Sequence, residues 1–93
     1  MKIWLDDLRT APVGYIHVYS VNDAIELIKN VPSSIIEEIN CDHDLGDYSQ
    51  FGGDGIKLLD YLLGVGLLVP IVLHTMNPVG RENMQRILDR YWP

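Results

Sequence analysis

Short apolar runs that each stop at a polar cluster, with amphipathic stretches between them, most constrain what this chain can fold into. Ile3-Trp4-Leu5, Tyr15 to Tyr19, Ile35 to Cys41 and Leu68 to Leu73 are brief and rich in apolar, aromatic or β-branched residues, as buried strands are. Ala24, Ile25, Leu27, Ile28 and Val31 recur at helical spacing, as do Ile56, Leu58, Leu59, Leu62 and Leu63, and then Met84, Ile87, Leu88 and Tyr91. Ser20, with Asp23 three residues on, reads as the cap of the first helix, and Asn77-Pro78 as the start of the last. Leu8 to Gly14 and residues 47–55 carry Pro12, Gly14, Gly52, Gly53 and Gly55 and read as loops. The order strand, strand, helix, strand, helix, strand, helix predicts an α/β domain. Its sheet is parallel, of about four strands, with three helices in two or three layers.

A chain of 93 residues makes one domain, 1–93. A net charge of −6 argues against an extended nucleic-acid surface, which needs a basic face. Cys41 is the only cysteine, so no intrachain disulfide forms. That points to a reducing, cytoplasmic setting. No signal peptide is expected at Met1-Lys2, and the longest apolar run is too short to cross a membrane.

The polar clusters fall where a parallel sheet binds ligands, at the carboxyl ends of its strands. Asp6-Asp7 ends the first run, Asp42-His43-Asp44 the third and His74-Thr75-Met76-Asn77 the fourth. Four carboxylates at one edge repel one another, and a hard divalent cation, Mg²⁺ or Mn²⁺, relieves that repulsion. The helix start near Asn77 and the Thr75 hydroxyl add an anion site beside the metal. Bland readings stand beside these. Asp-Asp is common in turns, His43 suits a solvated loop, and His74 suits a satisfied core histidine. His17 reads as structural or merely exposed, and Trp4 and Trp92 read as packing residues. Arg9 and Arg81 can pair with phosphate or only with carboxylates, and Asn83 suits a helix surface.

The segment Asp42-His43-Asp44-Leu45-Gly46, with Asp6-Asp7, Asp54-Gly55 and Pro70 to Thr75, resembles the response-regulator receiver domain. That resemblance implies a truncated receiver topology with strand order 2-1-3-4. It places Asp42 at the phospho-accepting position and Asp44 where a backbone carbonyl reaches the metal. The chain departs from it in two places. Leu8 to Gly14 is too short for the usual first helix, and no fifth strand with its lysine follows. Trp4 to Arg9, Asp42 to Gly46 and His74 to Met84 more closely resemble the cyclic-phosphate-processing receiver domains, short relatives of bacteria and phages. This second resemblance implies activity on cyclic phosphates, at RNA ends or in small nucleotides.

The leading expectation is a metal-dependent phosphoesterase. Asp6, Asp7, Asp42 and Asp44 hold the cation, and His43 and His74 supply base and acid. Arg9, Thr75, Asn77, Arg81 and Asn83 position the phosphate, and Asp42 is also a candidate nucleophile. The alternatives are a non-catalytic module that binds a phosphorylated ligand or protein partner, and a phospho-accepting switch on Asp42. The open sheet edge suggests a homodimer.

Overall fold

The computed structural model describes residues 1–93. Four strands, β1 Lys2–Leu5, β2 Tyr15–Val18, β3 Glu38–Cys41 and β4 Ile71–Leu73, form one sheet in the order β2-β1-β3-β4. Every pairing is parallel. Three helices, α1 Val21–Lys29, α2 Ile56–Val65 and α3 Pro78–Tyr91, accompany it. The two expected caps are present. The Ser20 side chain accepts from the Asp23 N–H, and the Asn77 side chain accepts from the Gly80 N–H. No helix is long and apolar enough to cross a membrane.

Two strands are shorter than their apolar runs. Residues 33–35 form a 3₁₀ turn after Pro32, so β3 begins only at Glu38. The run from Leu68 pairs only from Ile71. Pro70 has no N–H to give the ladder, although its carbonyl accepts from the Ile39 N–H at 2.9 Å.

Register separates the two faces of the sheet. Ile3 pairs across to Ile16 and Ile39, and Leu5 to Val18 and Cys41. This face holds the core, where Ile3, Leu5, Ile39 and Cys41 are fully buried with Leu58, Leu59, Leu62 and Met84 of α2 and α3. Both helical crossovers, β2 to β3 and β3 to β4, step in one direction. Their right-handedness puts α1 and α2 on the same side. α3 packs on α2 and adds Met84 to the same core, so the domain has two layers. The opposite face carries Trp4, His17, Asn40 and Val72.

Each fully buried aliphatic side chain contributes about 2 kcal/mol. The strand ends are therefore firmly held, and so are the polar residues that follow them. Gly55 brings α2 against the end of β3: a Cβ there would lie 1.8 Å from the Asp42 carbonyl oxygen. The Gly55 N–H donates to the His43 carbonyl at 2.7 Å.

Candidate functional site

Past the carboxyl ends of β1, β3 and β4 lies an open groove of about 600 Å³. Its wall brings together Asp6, Asp7 and Arg9 from the first loop, Asp42 and Asp44 from the second, and Thr75 and Asn77 from the third. Leu8, Gly46, Met76 and Pro78 complete it.

Asp6 is 1% exposed. Its Oδ1 accepts from the N–H groups of Leu8 and Arg9, each at 2.8 Å. Its Oδ2 accepts from His74 Nε2, also at 2.8 Å. Burial alone would raise the Asp6 pKa, but these donors outweigh it and hold the carboxyl below its ordinary value. Asp7 goes the other way. Desolvation pushes its pKa up, and repulsion from Asp6, Asp42 and Asp44 adds to the push. Asp42, 9% exposed, accepts from the His43 N–H at 2.7 Å through Oδ1. Asp44 is held below its ordinary pKa by His43 first and by the Asn77 amide second.

The two histidines stand behind carboxylates and do not line the groove. His74 Nδ1 meets Asn40 Oδ1 at 2.5 Å, and its ring stacks on Trp4 at 3.9 Å with the planes 4° apart. Trp4 Nε1 in turn donates to the Arg9 carbonyl at 3.0 Å. His74 is thus both a satisfied histidine and a part of the site. His43 Nδ1 bonds Asp44 Oδ1 at 2.7 Å. Its ring lies so close to α3 that a Cβ on Gly80 would come within 2.4 Å of His43 Cγ. Arg81 and Asn83 are also outside the groove lining. Arg81 donates to the Leu73 carbonyl at 3.3 Å, and Asn83 is exposed on α3. His17 bonds the Asp6 carbonyl through Nε2 at 2.7 Å, a structural role.

The start of α3 offers an anion less than its sequence promised. Pro78 has no N–H, the Gly80 N–H is capped by Asn77, and the Arg81 N–H donates to the Asn77 carbonyl. Thr75 and Arg9 carry more weight. Thr75 Oγ1 accepts from the Asn77 N–H at 3.1 Å, which leaves its own proton to donate. Arg9 spends Nη1 on the His74 carbonyl at 2.8 Å and retains four further N–H donors.

Two groups of side chains can hold a cation. Ligand atoms of Asp6, Asp42 and His74 lie within 4.8 Å of one another, as do those of His43, Asp44 and Asp54. The second group is internally engaged, because His43 bonds Asp44 and Asp54 accepts from the Leu45 N–H. In the first, His74 is committed to Asp6 and Asn40, which leaves the oxygens of Asp6 and Asp42 as the donors that could hold a cation, and Asp7 lines the same groove. Oxygen donors suit a hard divalent cation. The Asp7 pKa is raised first by desolvation and then by repulsion from Asp6, Asp42 and Asp44, and such a cation would relieve that repulsion.

Sequence reasoning passed over Asn40 and took Trp4 only as packing. Asn40 did carry a signal, since a lone amide between Ile39 and Cys41 is out of place in a buried strand. Trp4 pairs with Asn40 in register, which puts both on the face that His74 joins.

Residues 1–90 match the family model described as the cyclic-phosphate processing receiver domain. No curated protein and no solved structure matches the chain.

Proposed function

The chain belongs to the cyclic-phosphate processing receiver domain family, and from that premise and the geometry of the groove we propose a metal-dependent phosphoesterase that opens a cyclic phosphate ester. The observation that carries this reading is the convergence of Asp6, Asp7 and Asp42 with Arg9 and Thr75 on the lining of one groove. Asp6, Asp7 and Asp42 are the residues to hold Mg²⁺ or Mn²⁺. When bound there, the cation neutralises the carboxylates and polarises a phosphoryl oxygen.

The chain's own groups do the rest. His74, backed by Asn40 and Trp4, fixes the Asp6 carboxylate, as outer partners of metal ligands do. The guanidinium of Arg9 and the hydroxyl of Thr75 bind the remaining phosphoryl oxygens. Asp42 has one oxygen held by the His43 N–H and takes the proton of the attacking water with the other. The new P–O bond forms as one ring P–O bond breaks. The leaving ring oxygen takes up the proton that Asp42 accepted, and the product is an acyclic monoester. In this reading His43 and His74, each bonded to a carboxylate, act as positioning residues.

That same placement favours a second reading. With both imidazoles committed to protein partners, the groove also suits a module that binds a phosphorylated ligand without turnover. ³¹P NMR of 2′,3′-cyclic AMP incubated with the protein and Mn²⁺ separates the two. The enzyme reading expects conversion to a monoester, reduced about a hundredfold or more by Asp42→Asn. A cyclic nucleotide that binds and persists contradicts it and leaves the binding module.

A further inference from the structure

An aromatic ladder leaves the groove on its β2 side and belongs to no part of the chemistry above. It begins at His17, which bonds the Asp6 carbonyl, and stacks on Tyr19 at 4.1 Å. Tyr19 leads to Tyr48 at 5.6 Å, and Tyr48 to Phe51 at 6.3 Å. Tyr19, Tyr48 and Phe51 are 42%, 40% and 48% exposed. Exposed rings clustered on a domain this acidic call for a ligand with an apolar face.

The ladder ends in a hollow of about 260 Å³ between the start of α1 and the 3₁₀ turn of residues 46–50. It is lined by Tyr48 and Phe51 together with the polar Ser20, Asn22 and Asp23. The Asn22 N–H donates to the Phe51 carbonyl at 3.0 Å and so fixes this geometry through the backbone. Aromatic rings that share a hollow with an amide and a carboxylate match the two needs of a nucleobase. Its π-face stacks on a ring, and its edge needs adjacent donors and acceptors, which an Asn amide supplies. The hollow is also close to the groove. Gly46 lines the groove, and Tyr48 follows two residues later in a 3₁₀ turn, about 4 Å further along its axis.

We propose that the hollow between Tyr48, Phe51 and Asn22 is a nucleobase site, and that it takes the base of the nucleotide whose phosphate enters the groove. This rests on the phosphate reading of the groove. It narrows the ligand class to a nucleotide or the terminal nucleotide of an RNA, as opposed to a base-free cyclic phosphate. The net charge of −6 fits recognition of one terminal base better than an extended strand.

Aromatic and amide NMR signals of the full chain in Mg²⁺, titrated with 2′,3′-cyclic AMP and with glycerol 1,2-cyclic phosphate, test it. The expected result is movement of the Tyr48 and Phe51 ring signals with the nucleotide and none with the base-free ester. Tyr48→Ala weakens nucleotide affinity roughly tenfold, leaves the base-free ester unaffected, and Tyr48→Phe restores binding. Movement of the Asp42 and Gly46 amides with still rings overturns the base site and spares the phosphate reading. Moving rings with still groove amides overturn the phosphate reading and, with it, the proposed coupling of base and phosphate sites. Silence in both overturns both.

Discussion

His74 and His43 each hold a carboxylate at the rim of the sheet, at 2.8 Å and 2.7 Å, yet the two pairs sit in opposite surroundings. The Asp6 side chain is 1% exposed and that of Asp44 61%. On the β1 and β4 side, every polar atom of the pair has a partner inside the protein. Asp6 has two backbone donors, and His74 has Asn40 beyond it and Trp4 beneath it. On the β3 side, water competes for the same kind of contact, and Asn77 is the one other side chain bonded to Asp44. The same residue types therefore do different work. The buried pair fixes a carboxylate that faces the groove, whereas the exposed pair ties the loop after β3 to the start of α3. Distance alone does not separate them; desolvation does.

Two thermodynamic cycles sharpen this contrast. The larger effect is expected at His74 and Asp6. Removing His74 leaves a buried carboxylate short of a donor, so His74→Ala lowers the unfolding free energy by about 3 kcal/mol. Urea denaturation of His74→Ala, Asp6→Asn and the double variant should give a coupling of about 2 kcal/mol. A coupling near zero would mean that the backbone donors alone secure Asp6. The smaller effect is expected at His43 and Asp44. There the same cycle should give less than about 1 kcal/mol, reduced further by salt. A value equal to that of the buried pair would erase the distinction between the two sides of the groove.

Much of the fold was legible beforehand, and the part of the site that was not has a physical cause. The strands, the helices and the edge where Asp6, Asp42 and Thr75 meet follow from local patterns: apolar runs, helical spacing and caps at Ser20 and Asn77. The family resemblance carried by Asp6-Asp7, Asp42 to Gly46 and His74 to Met84 is the family now matched. Side-chain direction was not legible. His43 and His74 stand next to the clustered carboxylates in sequence, but whether an imidazole points into a groove or behind a carboxylate depends on packing against Gly80 and Trp4. Those contacts cross 37 and 70 residues of chain, by the residue numbers themselves. Arg81 and Asn83 lie one and three residues beyond Gly80, and their place outside the groove likewise depends on how α3 packs on the rest of the fold. The hollow beside Tyr48 was invisible for a similar reason, since Asn22 and Phe51 are joined only by the fold.

The account rests on the carboxylate wall being a cation site, and a Mg²⁺ or Mn²⁺ titration followed by thermal unfolding tests that most directly. At a metal concentration a hundred times the dissociation constant, binding to the folded state adds about 2.7 kcal/mol. For a domain of this size that raises Tm by roughly 10 °C or more. The account predicts this rise for the wild type and its loss in Asp42→Asn. A wild-type Tm that does not move with either metal would contradict it.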